Sequence, residues 1–128
     1  MVVIDRYSQV PIYEQVVRQV ERLILLGEMA GGDMLPSVRT MSQELSVNPN
    51  TLQKAYAELE SRGICFSVAG TGRFISKDAG ERLKERNSAA LAELKRIAGH
   101  LRLLGTPFSE AEAVLKDGYE NSREGEEV

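Results

Sequence analysis

The sequence predicts a mainly α fold with a small β-hairpin: a winged helix-turn-helix followed by two C-terminal helices. Three observations carry this expectation. Two helix signatures are separated only by Ser46 and Val47, two short β-prone runs flank the glycine-bearing AGTG at 69–72, and an apolar periodicity resumes after Lys77 and runs to Leu104.

The first helix is expected to follow Pro11, whose fixed φ suits a helix start, with Ile12, Val16, Val20, Leu23 and Ile24 on one face and Gly27 as the stop. A turn-rich stretch, GEMAGGDMLP, leads to a second helix capped by Ser37, with Val38, Met41 and Leu45 inward. The third helix begins at Asn48-Pro49-Asn50. These are poor helix formers in a helix interior, but Asn48 can cap the free backbone N–H groups and Pro49 fills the first position, where its missing N–H costs nothing. Leu52, Ala55, Tyr56 and Leu59 then form its buried stripe, and Gly63 ends it. ICFSV (64–68) and RFIS (73–76) read as the two strands of the hairpin, or wing.

Beyond the hairpin, Leu83, Asn87, Ala90, Leu94, Ile97, Leu101 and Leu104 recur at alternating four- and three-residue steps, with Leu91 and Ala98 widening the stripe. Gly105 and Pro107 break it. A last helix is announced by Ser109 and Glu112, in capping-box spacing, and carries Ala111, Val114 and Leu115. Two helices cannot close an independent core, so the stripe is expected to pack against the same element of a second chain, making a homodimer. Leu83, Leu91, Leu94, Ile97, Ala98, Leu101 and Leu104 are the candidate dimerisation residues. The division is 1–76 for the winged domain, 77–121 for the helical tail, and 122–128, ending in SREGEEV, for a disordered acidic C-terminus.

Composition narrows the function classes. At 128 residues and 42% hydrophobic content the chain holds one small core with an extension, which excludes a large multidomain enzyme. One cysteine and one histidine, Cys65 and His100, offer neither a disulfide nor a common zinc site, and no metal or cofactor is expected. An enzyme would need a convergent set of nucleophile, base or metal ligands, which these residues do not supply. Cys65 reads as core filler beside Ile64 and Phe66, and His100 as a helix-surface residue. No apolar run is long enough for a membrane span, and the N-terminus has no signal core, so a cytoplasmic protein without membrane contact is expected.

The stretch from Pro11 to Ser76 resembles the DNA-binding domain of the GntR family of bacterial transcription regulators. PIYEQ, LLGEMAGGDMLPSVR, VNPNTLQKAY, LESRG and GTGRFIS fall in that family's order and spacing. The short tail and the NPNT start of the third helix are most similar to the YtrA subfamily, whose members use two C-terminal helices to dimerise and often repress transporter operons. The resemblance implies a regulator, not an enzyme: a repressor that binds a two-fold operator in double-stranded DNA as a homodimer. The tail is too short to enclose a pocket within one subunit, so a small-molecule effector of unspecified chemistry would have to bind at the dimer interface or between tail and winged domain. The competing reading is a winged-helix protein-interaction module without specific DNA binding.

The net charge of -3 argues against nucleic acid for the whole chain, but from Pro36 to Lys77 five positive residues, Arg39, Lys54, Arg62, Arg73 and Lys77, face three negative ones, Glu44, Glu58 and Glu60. Asn50, Thr51, Gln53 and Lys54 lie off the apolar stripe of the third helix, with Asn48 at its start. Asn and Gln can read adenine edges, and Lys54 could reach guanine or phosphate; the alternative is a merely solvated polar face. By resemblance, Arg39 in PSVR faces phosphate or the groove, against a surface salt bridge to Glu44 as the alternative. In the wing, Gly70 and Gly72 permit close approach, Thr71 can donate to phosphate, and Arg73 can enter a narrow minor groove. Many relatives carry arginine where this chain has Pro49 and Gln53, so its operator is expected to differ from theirs.

Overall fold

In the computed structural model, which describes residues 2–121, the elements run α1 (Ile12–Leu25), α2 (Val38–Leu45), α3 (Pro49–Ser61), β1 (Cys65–Val68), β2 (Gly72–Ile75), α4 (Ala79–Leu103) and α5 (Phe108–Asn121). This is the mainly helical chain with one antiparallel hairpin that the sequence predicts. The expectation for 122–128 lies outside the described residues.

The described residues form two compact units, 2–83 and 84–121. In the first, α1, α3 and the base of the hairpin enclose the core, with Val16, Val17 and Val20 against Leu52, Ala55, Tyr56 and Leu59, and Ile64 and Ile75 beneath. Each helix contributes the apolar stripe its spacing marks out. Pro11 stands just outside α1, as its N-cap, with its carbonyl accepting from Gln15 N at 3.1 Å. Asn48 caps α3 as expected, its side chain accepting from Asn50 N at 2.8 Å, with Pro49 in the first turn. The turn between α2 and α3 is tight because Ser46 takes a left-handed conformation, φ 53°, and Val47 N returns to Ser42 O at 3.1 Å.

Two features of this unit are not apparent from periodicity. The segment before α1 is strapped to it by two buried amides four residues apart. Gln15 accepts from Asp5 N and donates to the Asp5 and Val10 carbonyls, each at 2.9 Å, while Gln19 exchanges hydrogen bonds with both backbone groups of Val3. These side chains thus give hydrogen-bond partners to backbone groups of a segment that belongs to no helix or strand. The second feature is an added edge on the hairpin. Gly32 N donates to Ile75 O, Ile75 N to Asp33 O and Leu35 N to Arg73 O, all at 2.8 Å, so part of the turn-rich stretch lies along β2.

That pairing makes Gly31 a close-approach position, where an added Cβ would stand 2.7 Å from the Lys77 Cα. Gly31→Ala is expected to lower the stability of the winged domain by about 1–3 kcal/mol, because backbone and not a movable side chain blocks the methyl. A thermal melt measures it, and a wild-type midpoint would show that the edge can shift without cost.

The start of α4 also belongs to the first unit. Ala79 and Leu83 are 1% and 3% exposed and sit in the winged-domain core, so this core extends past the expected limit at Ser76. Leu83, placed on the dimerisation stripe by spacing, is packed within its own chain. The rest of that stripe differs: Leu91, Leu94 and Ile97 are 56%, 42% and 42% exposed, Ala98 and Leu104 are also exposed, and Leu101 is half-buried. In the second unit, α5 begins at Phe108 with the Pro107 carbonyl accepting from Ala111 N at 3.3 Å. Ser109 is therefore inside the first turn and not the cap, because the chain already enters the helix at Pro107.

Candidate nucleic-acid interface

The geometry of α3 follows from its start and its stripe. With Leu52, Ala55, Tyr56 and Leu59 buried, Asn50, Gln53 and Lys54 are left exposed and Thr51 half-buried. Tyr56 fixes α3 to the entrance of α2, its hydroxyl donating to Pro36 O at 2.7 Å. Burial pushes the Tyr56 phenol up to about 12, partly offset by the Arg73 charge, so it remains a neutral donor across the ordinary pH range.

Next to α3, Ser37 caps α2, accepting from Thr40 N at 3.1 Å and donating to Thr40 Oγ1 at 2.9 Å. Arg39 is exposed on the first turn of this helix and has no ion-pair partner among the described residues; the alternative bridge to Glu44 is not made. Ser37, Arg39 and Thr40 from α2, Gln53 from α3, and Thr71, Gly72 and Arg73 from the wing line one open cleft. A helix N-terminus, a polar helix face and a glycine-bearing tip thus meet on one surface. Backbone N–H groups and Arg39 suit phosphate there, and the amides suit base edges.

The wing holds its arginine against α3. The register pairs Cys65 with Ile75, Phe66 with Phe74, Ser67 with Arg73 and Val68 with Gly72. Side chains alternate across a strand, so Arg73 shares the face of buried Ile75 while Phe66 and Phe74 stack on the other, 5.9 Å apart. Arg73 is consequently turned onto α3, one residue pair in from the Val68–Gly72 end of the hairpin. Its Nε donates to Glu60 Oε1 at 3.1 Å and its Nη2 to Gln53 Oε1 at 3.3 Å. The Ser67 hydroxyl and the Arg73 guanidinium together hold the Glu60 carboxyl below the usual carboxylate range. Gly70, at φ 74°, and Thr71 form the exposed tip. Gly72, at φ 144°, packs beside Met34, whose sulfur would be 3.2 Å from an added Cβ.

Other charges are similarly engaged. Lys54 Nζ lies 4.0 Å from the centroid of the Tyr13 ring, folded back over α1. Arg62 pairs with Glu58 at 3.0 Å and with buried Glu21 at 3.3 Å. Of the five positive residues that suggested a phosphate surface, Arg39, Lys54 and Lys77 have no ion-pair partner among the described residues, and Lys54 is held over Tyr13 instead. Arg6, not singled out by the sequence, donates to the Leu45 and Ser46 carbonyls at 2.9 and 3.1 Å where α2 ends. Its distance along the chain from α2 hides that pairing. Cys65 is 3% exposed and burial pushes its thiol up to about 11, which leaves it a protonated core side chain.

Three helices, a tight α2–α3 turn and a hairpin beside the second of those helices define a winged helix-turn-helix DNA-binding domain. Residues 12–75 match the bacterial regulatory proteins of the gntR family, and the chain belongs to that family. It is 38% identical over 118 residues to the HTH-type transcriptional repressor YtrA of Bacillus subtilis, covering 91% of each chain. Among solved structures it is similar to a GntR family transcriptional regulator from Listeria monocytogenes, with a TM-score of 0.64 and 34% identity over 89% of this chain and 98% of that one. A further likeness, with a TM-score of 0.52 and 28% identity over 57% of this chain and 90% of the other, is to AraR(DBD) in complex with operator ORX1. The chain is thus a transcriptional regulator with a DNA-binding domain, in a family of regulators and not of enzymes. Among the described residues no helix is long and apolar enough to cross a membrane.

Proposed function

We propose that this regulator is a cytoplasmic repressor that binds a two-fold symmetric operator as a homodimer and controls a transporter operon. The observation that carries the reading is the single cleft joining the α2 N-terminus, the polar face of α3 and the wing. On this reading Gln53, from the cleft, and Asn50 and Thr51, from the same end of α3, enter the major groove, while Asn48, Arg39, Gly70 and Thr71 meet the sugar-phosphate backbone. The repressor named among its relatives and the operator complex of AraR(DBD) support repression and operator binding. The apolar stripe Leu91, Leu94, Ile97 and Leu101, left open within the chain, supports a second copy as the occupant. A small-molecule effector would act by altering the separation of the two α3 helices.

Binding to operator and to random duplex DNA over a range of salt concentrations tests the division of labour. Asn50→Ala or Gln53→Ala is expected to cost about 1–3 kcal/mol on the operator and little on random DNA, because a base contact is sequence-dependent. Arg39→Ala is expected to weaken both and to reduce the salt slope by about 1. Equal losses on both DNAs for Gln53→Ala would remove it from base reading. A wild-type protein indifferent to salt and to duplex DNA would favour the protein-interaction module.

A further inference from the structure

Gln53 does not face the cleft as a free glutamine. Arg73 Nη2 donates to its Oε1 at 3.3 Å, and the same guanidinium is anchored by Glu60 at 3.1 Å and lies 5.3 Å from the Tyr56 ring centroid. Glu60 is itself held by the hydroxyl of Ser67, the β1 residue paired with Arg73. A guanidinium carries donors and no acceptor, so the amide cannot flip without losing this bond. The consequence is an oriented amide with its oxygen against a positive charge and its Nε2 hydrogens left for another acceptor.

That orientation discriminates between purines. Adenine presents an N7 acceptor and an N6 amino donor in the major groove, and a glutamine that grips both must offer oxygen as well as nitrogen. Guanine presents two acceptors, N7 and O6. The Arg73 charge beside Oε1 opposes an incoming amino donor and favours an acceptor edge. We infer that Gln53 selects guanine, and that Arg73 and Glu60 are positioning residues for this specificity, tying the base-reading amide to the wing. The inference rests on the reading that α3 docks in the major groove.

Selection of the full-length protein on a randomised duplex library, followed by affinity measurements on single-base variants, tests it. The wild type is expected to require guanine at one position per half-site, and that requirement alone should disappear in Gln53→Ala. In Arg73→Ala, which frees the amide to flip, the guanine-over-adenine affinity ratio at that position is expected to fall roughly tenfold, with preferences elsewhere in the site kept. Glu60→Gln, which loosens the anchor but keeps its shape, should lower the same ratio less, and it carries the test if a thermal melt finds Arg73→Ala unfolded. Adenine at the Gln53-dependent position of the wild type would overturn the inference, as would the absence of any such position. So would an unchanged ratio in the folded variants, even with uniformly weaker binding, which would make Arg73 a contact to the DNA backbone. Failure of the wild type to enrich any sequence is a different result, and it would overturn the sequence-specific regulator reading itself.

Discussion

Replacing Leu94 and Leu101 together by glutamate is expected to give a monomer with a folded winged domain and an operator affinity lower by about 10²–10⁴-fold. Leu94 is 42% exposed and Leu101 half-buried, both in the unit 84–121, whereas the winged-domain core draws on α4 only as far as Leu83. The substitutions therefore remove nothing from that core. In a seam between two copies they would place carboxylates where there is neither water nor a cation, and a buried unpaired charge costs more than such a contact returns. Loss of the second subunit converts a two-site grip into a single half-site contact, and the affinity falls by the lost effective concentration. Sedimentation velocity reports the oligomeric state, a thermal melt the fold, and an operator titration the affinity. A variant that stays dimeric would locate the interface elsewhere; one that unfolds would mean the stripe packs within the chain.

Most of the fold is legible because its signals are local. Asn48-Pro49 reads as a helix start since the cap and the missing N–H are both properties of the first turn, and the observed bond to Asn50 N is that cap. Periodicity also identifies the inward face of α3 correctly, since Leu52, Ala55, Tyr56 and Leu59 are all buried. It cannot say where a long polar side chain ends. Lys54 is off the stripe, as read, yet its ammonium reaches Tyr13 of α1, a neighbour supplied by packing. Arg73 is legible as a wing residue, and alternation from Ile75 assigns it to the α3 side of the hairpin, but its partners Glu60 and Gln53 come from another element. Leu83 illustrates a further limit. It continues the same stripe as Leu94 and Ile97, and nothing in a repeat of spacings marks the point where the surface covering it changes. The amide strap of Gln15 and Gln19 was hidden because two glutamines on a helix read as solvated polar residues until a backbone segment lies across them.

A flexible insertion in α4 is the sharpest test of whether the tail sets the separation of the recognition helices. Since Ala79 and Leu83 are core residues of the winged domain, a Gly-Ser segment placed directly after Lys77 would disturb folding as well as spacing. Placed after Lys84, it leaves those contacts in sequence with the hairpin and Leu91, Leu94 and Ile97 in sequence with one another. Such a variant is expected to remain dimeric, to melt as the wild type does in its winged domain, and to lose about 10–100-fold in operator affinity. The physical reason is that half-sites about one helical turn, roughly 34–36 Å, apart must both be met by helices held at that separation. A flexible tether still links the two domains but spreads them over many separations, so simultaneous docking becomes a rare arrangement. Affinity for a single half-site should not change, which separates lost spacing from a damaged α3. If the inserted variant binds the full operator as tightly as the wild type, the tail does not set the helix separation, and control of DNA binding through dimer geometry fails with it.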